Sequence, residues 1–245
     1  MTANVKVDRA AEAGADDSRW ASLYTVSGVA ALISAVIIPL SIAAFFIWPP
    51  FPGSVLDMFT LIQNDKLAGL MSLDFMYLAA NFFAIPIFLA LYITLKRADE
   101  SFSAIALALG LIGLVLLIPA RPIAEMFSLS NQYAAAATEA QRAQLVAAGE
   151  ATLALFQGTA YLAHYILGSL SFLISAFIML RSSIFNRATA YVGIVTNVLV
   201  FGLFVPKIGA YISLLSVFPF LMIWLIQIGV RLLRLGHLDG QPSQA

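Results

Sequence analysis

The chain contains no cysteine, which excludes disulfides, thiolate metal ligands and a thiol nucleophile, and leaves the redox compartment open. Histidine is almost absent too: only His164 and His237 occur, so a histidine-rich zinc or iron centre is not expected. Charge is scarce, at 11% of residues where a soluble domain carries about a quarter. The charges cancel to a net of zero, so there is no basic surface for a nucleic acid. Catalytic signatures are missing as well. There is no H-E-x-x-H, G-x-S-x-G, phosphate-binding loop or G-x-G-x-x-G. No lysine lies deep in an apolar run to activate a serine. No cofactor is implied, and no internal repeat relates the two halves.

What the chain has instead is apolar length. Hydrophobic residues make 61% of its 245 positions and the mean hydropathy is +0.93. That excess is lipid-facing surface rather than a larger core, since soluble domains are only about half apolar. Six runs are long enough to cross a bilayer, at about 21–48, 67–95, 102–120, 151–180, 188–205 and 208–233. Residues 1–20 and 236–245 read as polar tails around a single transmembrane domain, 21–235. About twenty polar residues precede the first run, unlike a typical cleaved leader; Ser41, Ala43 and Ala44 leave a cleavage site open, and the run is expected to stay as the first span. Nine of the thirteen Lys and Arg residues fall on one side of the alternation, Lys96, Arg97, Arg181, Arg187, Arg231 and Arg234 among them. Lys66, Arg121, Arg142 and Lys207 fall on the other. The positive-inside rule then places both termini in the cytoplasm. The expected fold is all-α: a polytopic six-span bundle, N-in and C-in, in the plasma or inner membrane. Between spans three and four, TEAQRAQLVAAGEATL reads as an extracytoplasmic helical extension running straight into span four.

The fourth run carries a polar stripe. Gln157, Tyr161, His164, Gly168, Ser171 and Ser175 follow one another at offsets of three and four, which sets them on one helix face. Such a stripe needs other helices to cover it. In span two, Asp74, Tyr77 and Asn81 share a face. Ionisable groups in a span cost about 2.5–3.5 kcal/mol on insertion scales, so each asks for a reason. Asp74 is expected about seven residues into its span, roughly 10 Å deep at 1.5 Å per residue. His164 is expected about twelve residues in, roughly 18 Å. Arg121 and Glu125, four apart after span three, can pair with each other or with Asp74. Asn197 stands in the middle of span five.

If spans two, four and five are neighbours, Asp74, His164, Gln157, Tyr161, Arg121, Glu125 and Asn197 converge on a polar cavity opening outward. The plainer alternative is interhelical glue, where each polar contact is worth about 0.6 kcal/mol; it suits Asn81, Asn197, Ser171 and Ser175 best. Three functions follow. The chain binds or transports a small molecule through that cavity. Or it is a non-catalytic accessory or assembly subunit whose stripe meets a partner membrane protein. Or it is an intramembrane acid/base enzyme using Asp74 and His164, a reading that lacks an identifiable nucleophile or metal.

The order of features resembles a bacterial family of six-span membrane proteins built on a domain of unknown function, the DUF-four-three-eight-six type. The shared features are Asn64–Asp65 before span two, the charged turn at Lys96–Arg97, the Ala/Gln-rich helix before span four, and RSSIFNRATAYVGIVTNV at 181–198. That last segment is similar to the family's short Ser-x-Phe-x-Arg-x-Leu-Gly turn, with Phe185, Arg187 and Gly193 in looser spacing and Ala and Thr where Leu-Gly is usual. The resemblance implies a bacterial inner-membrane protein. It implies no activity and carries over no catalytic residue.

Overall fold

The computed structural model describes residues 19–47 and 52–238. Among them the chain is all helical, without strands. In chain order the helices are α1 (Ala21–Ile47), α2 (Val55–Asn64), α3 (Lys66–Ser72), α4 (Phe75–Phe82), α5 (Ala84–Leu95), α6 (Glu100–Leu117), α7 (Ile123–Ala135), α8 (Glu139–Ala154), α9 (Thr159–Met179), α10 (Arg187–Val200), α11 (Gly209–Leu215) and α12 (Met222–Leu238). Six helical stretches are long and apolar enough to cross a membrane: Ala21–Ala44, Phe75–Leu95, Glu100–Leu117, Glu139–Met179, Arg187–Phe204 and Gly209–His237. The chain is a multi-pass membrane protein in its helix count and apolarity.

Two compact units emerge. The first takes the described residues within Met1–Ala35, Phe83–Leu107 and Leu173–Ala245; the second takes Val36–Phe82 and Ala108–Phe172.

In the first unit, Ser27 donates from its hydroxyl to the Pro86 carbonyl at 2.7 Å. Pro86 stands near the start of α5, and the break between α4 and α5 falls at Phe83. A proline ring clashes with the carbonyl four residues back and cannot donate to it, which accounts for the interruption there. Asn186 caps α10 by accepting from the Thr189 amide at 2.7 Å, a side-chain bond to an otherwise orphaned N–H. Span six is two helices, α11 and α12, joined by a wide turn at Ser216–Leu221 in which Phe218 leaves helical geometry ahead of Pro219.

The second unit differs most from expectation. The prolines at 49, 50 and 52 and the polar Asp57, Asn64 and Asp65 give residues 51–66 the composition of a loop, yet Val55–Asn64 is a helix, capped by Ser54, which accepts from the Asp57 amide. Val55, Met58, Phe59 and Ile62 stand at i, i+3, i+4 and i+7, so one face is apolar. That face is buried against Leu73, Met126 and Phe156, with Ile123, Phe127, Leu129, Tyr133 and Leu153 around it. Gly149 of α8 admits the contact: a Cβ there would lie 2.6 Å from Val55 Cγ1 and 2.8 Å from Phe59 Cζ. Ser130 closes the seam by donating to the Phe59 carbonyl at 3.1 Å, and Gln63 donates to Ser130 Oγ at 2.9 Å. Asp65 caps α3 by accepting from the Leu67 and Ala68 amides.

Span two is likewise not one helix over 67–95. It breaks after Ser72, and Asp74 adopts a left-handed backbone, φ 61°. Span four is preceded by a 3₁₀ turn at Leu155–Gln157, so α8 does not run straight into α9.

Candidate functional site

Two chain breaks build the site, both within the second unit. The first is at Leu73–Asp74. An L-residue in the left-handed region pays about 1–2 kcal/mol, and aspartate is among the residue types that visit it most. Asp74 thereby stands one residue ahead of the apolar stretch Phe75–Leu95, not seven residues inside it as the unbroken reading had it. Its carbonyl accepts from the Leu78 amide at 3.1 Å, so the carboxylate sits at the N-terminal end of α4, where helix amides favour negative charge.

The second break follows α6. The sequence Pro119-Ala120-Arg121-Pro122 cannot continue a helix, because a residue before proline is pushed out of the α region. α6 stops at Leu117, the chain turns through Leu117–Arg121, and Arg121 is buried at 5% exposure.

These turns deliver Arg121 to Asp74. Arg121 Nε and Nη2 both donate to one carboxylate oxygen, Oδ2, at 3.1 and 2.9 Å. Nη1 donates to the Ala120 and Phe156 carbonyls at 3.0 and 2.8 Å. Aromatic faces close around the guanidinium, whose carbon lies 4.3 Å from the Phe156 ring centroid, 4.6 Å from Tyr161 and 5.7 Å from Tyr77. Desolvated contacts of this kind reach about 2 kcal/mol each. The second Asp74 oxygen, Oδ1, has no hydrogen bond among the described residues, and the side chain keeps 15% of its surface open.

His164 stands behind this pair, in the second turn of α9. Its Nδ1 lies 2.9 Å from the Gly113 carbonyl and its Nε2 lies 3.2 Å from the Tyr77 hydroxyl. A carbonyl can only accept, so Nδ1 carries the hydrogen, and Nε2 can accept the phenolic proton of Tyr77. Gly113 allows the approach of α6 to α9. A Cβ there would meet the Gly168 amide nitrogen at 3.2 Å and the His164 carbonyl at 3.3 Å. Tyr77 therefore sits between His164 and the Arg121–Asp74 pair, touching both.

The structure brings Asp74, Arg121, Tyr161 and His164 together. Glu125 is exposed and makes no ion pair among the described residues; Arg121 turns to Asp74 instead. An open cleft of about 420 Å³ separates their roles, with Arg121 and Glu125 on its wall beside Leu70, Phe75, Leu78 and Phe127. Asn197 belongs to the first unit, where its amide donates to the Gly193 carbonyl one turn back at 2.8 Å, so the convergence expected of it is not found within the second unit. Asn81 behaves alike, donating to Tyr77 O at 2.8 Å. Gln157 ends the 3₁₀ turn Leu155–Gln157, and its side chain lies outside the described residues. Tyr77 joins the site beyond the expected set, touching His164 and Arg121; its place on the Asp74 face of span two is the sequence signal for it. Phe156 and Gly113 act through backbone carbonyls, for which sequence carries no signal. Among the described residues no group of three His, Asp or Glu side chains is placed to hold a metal.

Comparison with known proteins returns nothing similar: no family model, no curated protein and no solved structure matches the chain.

Proposed function

We propose that the chain is a protein of the bacterial inner membrane, both termini cytoplasmic, that binds or transports a small molecule at the Asp74–Arg121 cluster through an outward-opening cavity. The observation that carries this reading is the break in span two. That break lies at the head of the stretch Phe75–Leu95 and leaves a carboxylate and a guanidinium at a helix end, where a polar group of a ligand can meet them. Here the Asp74 side chain keeps 15% of its surface open, and a mainly apolar cleft with Glu125 on its wall reaches Arg121. The ligand class that suits it has an apolar body and a hydrogen-bond donor for Oδ1. The likeness to the DUF-four-three-eight-six type stays part of this proposal, resting on Asn64, Asp65, Lys96 and Arg97; it adds no activity.

One observation favours a second reading, a non-catalytic accessory or assembly subunit. Arg121 uses four donor contacts within the chain, as a clamp with no ligand would. An acid/base enzyme draws no comparable support, because both His164 ring nitrogens are already engaged.

The absence of cysteine makes the test direct. Single cysteines at Leu78, Glu125 and Ser175 are exposed in intact cells to a membrane-impermeant thiol reagent. Labelling at 78 and 125 but not at 175, with protection at 78 by a screened ligand, is expected. Labelling at 125 alone, with no ligand protecting any site, favours the accessory reading. Silence at 125 overturns the proposed sidedness.

A further inference from the structure

A second cleft, of about 480 Å³, lies wholly within the first unit, where the segment after α9 meets the last turns of α12. Arg231 and Arg234 line it together with Ser183, Asn186 and Gln227, and no carboxylate does. Among the described residues neither arginine pairs with an acid. Arg231 is held in place instead, with Nε donating to the Ile184 carbonyl at 2.6 Å, which leaves the terminal nitrogens of its fork unspent. Arg234 is exposed one turn further on.

Gln227 supplies the second sign of a built site. Its Oε1 is buried and has no hydrogen-bond partner, so no bond to that oxygen fixes the side-chain amide. Its amide nitrogen makes no hydrogen bond among the described residues, so its N–H groups are free for an acceptor in the cleft that Gln227 lines. α10 also begins here, with the positive end of its dipole at Asn186–Arg187.

The wall beside these groups selects among anions. Ile223, Ile226 and Val230 are exposed on α12, and with Arg234 they follow at offsets of three, four and four, one continuous face. An apolar stripe leading to a pair of unneutralised guanidiniums matches an amphiphile. The acyl chain of such a molecule would lie along Ile223–Val230, and its phosphate would meet Arg231, Arg234 and the Gln227 amide. Arginine forks match phosphate oxygens in pairs, and basic pockets between spans are known lipid-headgroup sites.

We propose that this cleft is a specific site for the phosphate headgroup of an anionic phospholipid. The full-length protein is delipidated in detergent and titrated with phosphatidylglycerol, phosphatidylcholine or inorganic phosphate. Retained adducts are counted by native mass spectrometry. One phosphatidylglycerol is expected to bind saturably, phosphatidylcholine not to compete, and phosphate alone not to bind. Arg234→Gln is exposed and leaves folding intact; it should weaken the lipid about tenfold, and Arg231→Gln with Arg234→Gln should abolish the saturable adduct. Equal retention of both lipids, or an unchanged adduct in the double variant, overturns the site. Displacement by inorganic phosphate at similar concentration also overturns the lipid assignment, leaving a free-anion site.

Discussion

Arg121 holds a single oxygen of Asp74 with two nitrogens, 3.1 and 2.9 Å away, across 47 residues of sequence. Neither side chain could stay as it is without the other. The arginine keeps 2% of its side-chain surface and the aspartate 15%, so each charge is largely removed from water. Losing one partner of a buried pair costs about 3–5 kcal/mol, whereas replacing both by apolar groups is often neutral. Arg121→Met and Asp74→Leu are each expected to lower the unfolding midpoint in detergent sharply, and the double variant to recover most of the loss. Simple additivity of the two losses would show that the charges do not compensate one another.

Tyr77, His164 and Gly113 form a short chain of hydrogen bonds behind that pair. Tyr77→Phe removes one bond and should cost about 1 kcal/mol. His164→Phe leaves the Tyr77 hydroxyl unpaired and takes the second donor from the Gly113 carbonyl, which still accepts within α6, and should cost about 1–3 kcal/mol. In the His164→Phe background, Tyr77→Phe should cost nothing further, a coupling within the usual 0.5–3 kcal/mol for residues in one network. A four-way cycle of unfolding free energies measures it, and zero coupling would break the proposed link between the two rings.

Asn197 gives the opposite expectation. Its amide serves its own helix, on the Gly193 carbonyl, as polar groups in bundles commonly do at about 0.6 kcal/mol each. Asn197→Ala should leave thiol labelling and ligand protection at residue 78 unchanged. A loss of protection there would make it part of the site after all.

The sequence made the six spans legible because apolar length is a strong signal, and it flagged Asp74, Arg121 and His164 because charge in such runs is costly. It did not say which acid Arg121 would choose. Glu125, four residues away, looked as good a partner as Asp74, and only the turn through Pro119 and Pro122 decides. The break at Leu73–Asp74 was equally hidden. One left-handed residue reorients a helix without disturbing the hydrophobic pattern on either side. α2 was missed for a different reason. Val55, Met58, Phe59 and Ile62 carry the helical period, but the prolines before them and Asp57, Asn64 and Asp65 around them gave that stretch the composition of a loop.

That hidden helix supplies the sharpest packing test. Gly149 lies mid-helix, where alanine would gain about 0.5–1 kcal/mol from backbone entropy. The added Cβ would meet Val55 Cγ1 at 2.6 Å and Phe59 Cζ at 2.8 Å, and both side chains are buried, with 4% and 1% exposure. Neither has room to yield, and overpacking of this kind costs about 1–3 kcal/mol. The cost exceeds the gain, so Gly149→Ala should destabilise and should loosen α2 first. Faster amide hydrogen exchange across Val55–Asn64, with exchange in α10 unchanged, is the expected outcome. A rise in unfolding midpoint would mean that α8 shifts to accept the methyl, and that α2 is not clamped on it as tightly as the contact distances require.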